Sequence, residues 1–86
     1  MDVVFDPEKD VANIAKHGLS LASAAEMDLF AAAVHVVDRY DYGVVRFRAF
    51  GRVDGEGRCL VFTYSATQVR VISYRRAREK EMRRYE

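Results

Sequence analysis

The sequence predicts an α+β fold from three patterns. Two helix-type stretches lie before residue 30, four β-branched stretches separated by turn residues lie between residues 33 and 74, and one charged helix-type stretch closes the chain. The expected order is β-α-α-β-β-β-β-α, an antiparallel β-sheet meander with two N-terminal helices and one C-terminal helix. Eighty-six residues make a single domain, residues 1–86, with little surplus stability, because a chain of this size buries only roughly 60% of its unfolded surface.

Val3, Val4 and Phe5 give a short strand signal. Asp6-Pro7 then marks a helix start, since an aspartate accepts from free backbone N–H groups and proline suits the first helical position. Val11, Ile14 and Ala15 share one helical face, and Gly18 suits the left-handed conformation that closes a helix, so Lys16 and His17 fall in the last turn. Ser20 opens a second helix, supported by the Ser23-to-Glu26 spacing, and the stripe of Leu21, Ala24, Ala25 and Leu29 carries it to about Leu29.

After Ala33 the run Val34-His35-Val36-Val37 favours a strand, with a turn at Asp41-Tyr42-Gly43. Val45, Phe47 and Ala49 alternate with Arg46, Arg48 and Phe50, which sets two arginines on the face opposite the Val-Phe-Ala row. Asp54-Gly55-Glu56-Gly57 turns the chain again. Cys59 to Ser65 and Val69 to Tyr74 are the last strands, joined around Ala66-Thr67-Gln68. A basic helix begins near Arg75, with Ala77 and Met82 pointing inward.

Charge is spread unevenly. The segment from Arg70 to Glu86 carries seven cations against three anions, a net of +4, whereas residues 1–41 net −5, so the overall +1 hides a dipolar molecule. That asymmetry points to a basic site for a polyanion. Met1 to Asp10 is acidic and interrupted by Pro7, unlike a secretory signal, and no apolar run approaches the roughly 18 residues that span a bilayer, so a cytoplasmic location is expected. Cys59, the lone cysteine, reads as a small buried hydrophobe. One cysteine and two distant histidines, His17 and His35, give no zinc spacing, so neither a metal nor another cofactor is expected.

Four blocks carry a family resemblance: Asp6-Pro7-Glu8-Lys9, Asn13 followed by Lys16-His17-Gly18-Leu19-Ser20, the strand from Arg46 to Gly51, and Arg70-Val71-Ile72-Ser73-Tyr74-Arg75-Arg76-Ala77. Together, from Phe5 to Tyr85, they resemble the BrnT toxins. The resemblance implies a RelE-like fold and a bacterial type II toxin–antitoxin system. In such a system the toxin is a ribonuclease that halts translation, a BrnA-like antitoxin silences it, and operator DNA is met mainly through the antitoxin. The chain departs from the family pattern before Arg46, where many members carry an acidic residue and this one has Val44-Val45. If that acid moves a proton, another group must replace it here. Phe5 stands where tryptophan is common, a change that bears on packing.

Metal-free RNA cleavage requires the 2′-hydroxyl to lose a proton, attack the adjacent phosphate in line and expel the 5′-oxygen while negative charge grows on the phosphoryl oxygens. Arginine suits that charge, being planar, bidentate and always protonated, so Arg46, Arg75 and Arg76 are catalytic candidates. His17 is the catalytic candidate for proton exchange, with Tyr85 or Glu81 as a second proton-handling group. Lys16, Arg70, Ser73 and Tyr85 are candidate substrate contacts, and Arg70 reaches the cleft of Arg46 only in the proper strand register. Bland readings stand beside these. Lys16 and His17 also fit a helix C-terminus that favours cations, Arg78, Lys80, Arg83 and Arg84 fit a solvated face, and His35 fits a satisfied sheet residue. Tyr40, Tyr42, Tyr64 and Tyr74 could stack on bases or simply pack. The alternative function is a non-catalytic RNA- or protein-binding module.

Overall fold

The structure is a computed structural model that describes residues 2–39 and 44–86. The turn expected at Asp41-Tyr42-Gly43 lies outside the described residues. In chain order the elements are β1 (Asp2–Val4), α1 (Pro7–His17), a 3₁₀ helix (Leu21–Glu26), β2 (Ala33–Arg39), β3 (Val45–Val53), β4 (Glu56–Tyr64), β5 (Gln68–Arg76) and α2 (Glu79–Tyr85). They build an α+β fold on a five-stranded sheet ordered β1-β5-β4-β3-β2.

Strands β2 to β5 form the expected antiparallel meander. β1 departs from it by lying parallel to β5, with Val3 opposite Val69, so the sheet is mixed. Local pattern identifies a strand but not its neighbour; here Val3 packs against the core beside Val69, and that contact selects the partner.

The start and stop of α1 follow the expected chemistry. The Asp6 carboxylate accepts from the Glu8 N–H at 2.9 Å, Pro7 opens the helix, and Gly18 at φ 73° donates its N–H to Ile14 O. The buried face is not the expected one, because Val11 and Ile14 are 69% and 46% exposed while Asn13 is the helix's buried residue. Asn13 Nδ2 donates to Leu19 O and Tyr74 O, both at 2.8 Å, and its Oδ1 accepts from Tyr74 N at 3.3 Å. A side-chain amide thus occupies the edge of β5 beyond the end of β1, and these bonds set the rotation of the helix.

The second helix is a 3₁₀ helix that ends at Glu26, three residues short of the expected α-helix. Its three-residue period stacks Leu21, Ala24 and Met27 in one line, all buried. Asp10 anchors its start, accepting from the Ser20 hydroxyl at 2.9 Å and from Leu21 N at 2.7 Å.

Each face of the sheet has its own cluster. Leu21, Ala24 and Met27 cover Ala49, Leu60, Phe62, Val69, Val71 and Tyr74 on the first. Beside them an open apolar groove of about 860 Å³ runs past Leu29, Phe30, Val34 and Tyr64. On the second face, Ala77 and Met82 pack on Phe50 and Cys59, and Tyr85 flanks them. The β3–β4 turn is shorter than expected, since Asp54 and Gly55 both have positive φ and β4 already begins at Glu56, the geometry that matches strand twist in a tight hairpin. Gly57 is needed for close approach, because a Cβ there would lie 2.5 Å from Met82 Cγ and 2.8 Å from Ala77 O.

Candidate nucleic-acid site

Strand register decides which cations meet. Phe47 and Ala49 belong to the first-face core, so Arg46, Arg48 and Phe50 belong to the second face. Across the strands, His35, Arg48, Val61 and Ser73 form one row, and Ala33, Phe50, Cys59 and Arg75 form the next.

Strict alternation along β5 would separate Arg70 from Ser73 and Arg75. The register shifts instead: Val61 lies opposite Ser73, Phe62 lies opposite Val71, and Ile72 is passed over as a bulge. Val71 and Tyr74 both reach the first-face core as a result. Arg70, Ser73 and Arg75 accordingly share the second face with Arg46 and Arg48. Three of the four substrate-binding candidates, Arg70, Ser73 and Tyr85, are therefore brought together with two of the four catalytic candidates, Arg46 and Arg75.

β5 runs through Arg76 and α2 starts only at Glu79, later than expected. Arg75 and Arg76 are consecutive strand residues, so their side chains diverge. Arg75 grips Glu81 of α2 through two bonds, at 2.8 and 2.9 Å. The bond from Arg75 holds the Glu81 carboxyl below its usual range, and the same bond raises Arg75. Arg48 adds to the field on Glu81. Burial pushes the Cys59 thiol up, despite the charges of Arg75 and Arg48, which keeps it protonated and unsuited to nucleophilic attack.

Aromatic rings and a histidine fasten the end of α2 to this face. Tyr85 stacks on Phe50 with centroids 4.9 Å apart, and Arg48 and Arg84 lie 5.9 and 5.4 Å from the Phe50 and Tyr85 rings. The His35 ring meets both aromatic rings edge-on, and its Nε2 is 3.0 Å from Tyr85 O. On the outer side, Arg52 binds Glu79 and Glu86. At the junction of β5 and α2 lies a cleft of about 590 Å³ lined by Arg75, Arg76, Arg78, Lys80, Arg84 and Tyr85, with Glu81 at its side.

Lys16, His17 and Arg76 are not part of the second-face row. Arg76 donates to Glu56 at 3.1 Å and to the backbone carbonyl of His17 at 3.4 Å, at the C-terminal end of α1. Burial, and after it the charges of Lys16 and Arg75, hold the His17 imidazole below its ordinary range. The last-turn position of Lys16 and His17 is as expected.

Sequence reasoning left Arg48 and His35 out of the site and gave Glu81 only an optional part. Arg48 was recoverable from its alternation with Arg46. His35 was not, since its place beside Arg48 exists only in the β2–β3 register. Among the described residues, no group of three or more His, Cys, Asp and Glu side chains could hold a metal ion, and no helix is long and apolar enough to cross a membrane.

No curated protein matches the chain. A family model does: that of BrnT, the ribonuclease toxin of type II toxin–antitoxin systems, aligns with residues 5–81 of the 86 and so takes in α1, the whole meander and the Arg75–Glu81 pair. The chain with the arginine-lined sheet face belongs to the BrnT family of ribonuclease toxins.

Proposed function

We propose that this chain is a metal-independent RNA endonuclease in a single RelE-like domain, which arrests translation in the cytoplasm and is neutralised by a BrnA-like antitoxin. Operator DNA is then met mainly through the antitoxin. The observation that carries the proposal is that Arg46, Arg48 and Arg75 share one sheet face, with Arg70 and Ser73 on it as well. Guanidinium groups fixed on two strands of one sheet suit a phosphate whose charge grows during in-line attack, because they need no reorganisation when the charge appears.

In this reading Arg46, Arg48 and Arg75 hold the scissile phosphate. Arg70, Ser73 and Tyr85 bind adjoining parts of the strand. Glu81 keeps Arg75 extended until phosphate takes its place. Lys16, His17 and Arg76, near the end of α1, contact RNA away from the scissile bond.

The test is incubation of the purified chain with end-labelled RNA in excess EDTA. Cleavage by the wild type and its loss in Arg75→Ala are expected. Tight RNA binding with no fragments at any enzyme concentration would instead establish a non-catalytic module, the outcome that the missing acid before Arg46 favours.

A further inference from the structure

We infer that His35 is the proton acceptor in the RNA cleavage proposed above. The inference rests on that reading and goes beyond it by naming the base that Val44-Val45 do not supply.

Three observations converge on His35. It lies directly opposite Arg48 in the β2–β3 register, in the row that ends at Ser73, so it shares the face of the phosphate-binding arginines. It is exposed to solvent. Its Nε2 lies 3.0 Å from Tyr85 O, and a carbonyl oxygen only accepts, so Nε2 carries the proton. The neutral imidazole then has its lone pair on Nδ1. A backbone carbonyl fixing one nitrogen as donor and leaving the other as acceptor is how a histidine is set up as a general base. Contacts with Phe50 and Tyr85 hold the ring plane.

The step balances without a co-reactant. The proton of the 2′-hydroxyl passes to Nδ1 of His35, the 2′-oxygen forms a bond to phosphorus, and the bond from phosphorus to the 5′-oxygen breaks. Solvent protonates the departing 5′-oxygen, and the imidazolium returns its proton to solvent. The products are a 2′,3′-cyclic phosphate and a 5′-hydroxyl. Among the described residues, the charged and titratable groups sharing this face with His35 are Arg46 and Arg48 on β3, Cys59 on β4, Arg70 and Arg75 on β5, and Glu81, Arg84 and Tyr85 on α2.

The test separates chemistry from support of α2. His35→Gln retains an N–H donor for Tyr85 O but cannot exchange protons near neutral pH, whereas His35→Ala removes both functions. Both variants are expected to lose roughly 10²–10⁴ in single-turnover rate on end-labelled RNA in EDTA. The wild-type rate should rise with pH, and the His35→Gln rate should lose that limb. Nitrogen-15 spectra of the intact chain should place the neutral-form proton on Nε2. A His35→Gln variant with the wild-type rate or pH limb, or a neutral-form proton on Nδ1, would overturn the inference while leaving the ribonuclease reading intact. A wild-type chain that does not cut RNA would bring down both.

Discussion

Asn13 and Arg75 show how single side chains position this site. Asn13 uses both ends of its amide to satisfy the backbone of Tyr74, the residue immediately before Arg75. Asn13→Ala leaves buried backbone groups without partners and is expected to cost about 1–3 kcal/mol, read as a lower midpoint in urea unfolding. Asn13→Asp should be no better, since a carboxylate cannot donate to Leu19 O or Tyr74 O. Arg75 works through geometry as much as charge. Arg75→Ala should lower the cleavage rate by roughly 10²–10³, as loss of one preorganised donor does. Arg75→Lys should recover little of it, because an ammonium lacks the planar fork. Arg76→Ala, which removes a guanidinium directed at Glu56, should weaken RNA binding in a filter assay more than it slows the cleavage step.

At the scale of elements, α2 decides the shape of the candidate site and is held by ion pairs as well as by apolar packing. Arg52 grips Glu79 and Glu86, Arg75 grips Glu81, and Met82 is its fully buried anchor. The folded Glu81 carboxyl titrates below its unfolded value of about 4.3. Its stabilising contribution is therefore complete above that value and disappears as pH falls through the lower folded one. The melting temperature of Glu81→Gln should fall below that of the wild type at neutral pH and converge with it in acid. Gly57→Ala would drive a methyl into Met82 and Ala77 O, and the overpacking should cost about 1–3 kcal/mol in urea unfolding. Most elements were legible in the sequence because their signals are local: Asp6-Pro7 and Gly18 bracket α1, and the alternation from Val45 to Phe50 names β3. The 3₁₀ helix was read as α because Leu21, Ala24 and Met27 satisfy an i, i+3 spacing that both helix types share. The late start of α2 is not legible in the sequence, because Arg75 and Arg76 suit an edge of either structure.

The whole molecule divides its chemistry between the two sides of one sheet. The first face holds the larger apolar cluster and the open groove, and the second gathers the arginines under α2. Binding of single-stranded RNA to the second face should weaken linearly on a log-log plot against salt, with a slope of about −0.7 for each phosphate neutralised. Arg46→Ala and Arg70→Ala should each flatten that slope by about one such increment, a comparison that titrations at several salt concentrations can make. The charge asymmetry of the sequence marks the basic end of the chain, but not the face, because Arg70 and Arg75 agree in direction only through the irregularity at Ile72. That irregularity makes Ile72 the spare residue of the last strand. Its excision would leave every side chain on the face it now occupies, whereas one residue inserted elsewhere in the strand, an event that a surface loop would absorb, would invert every side chain on one flank of the insertion, bringing guanidinium into the apolar interior or valine out to solvent.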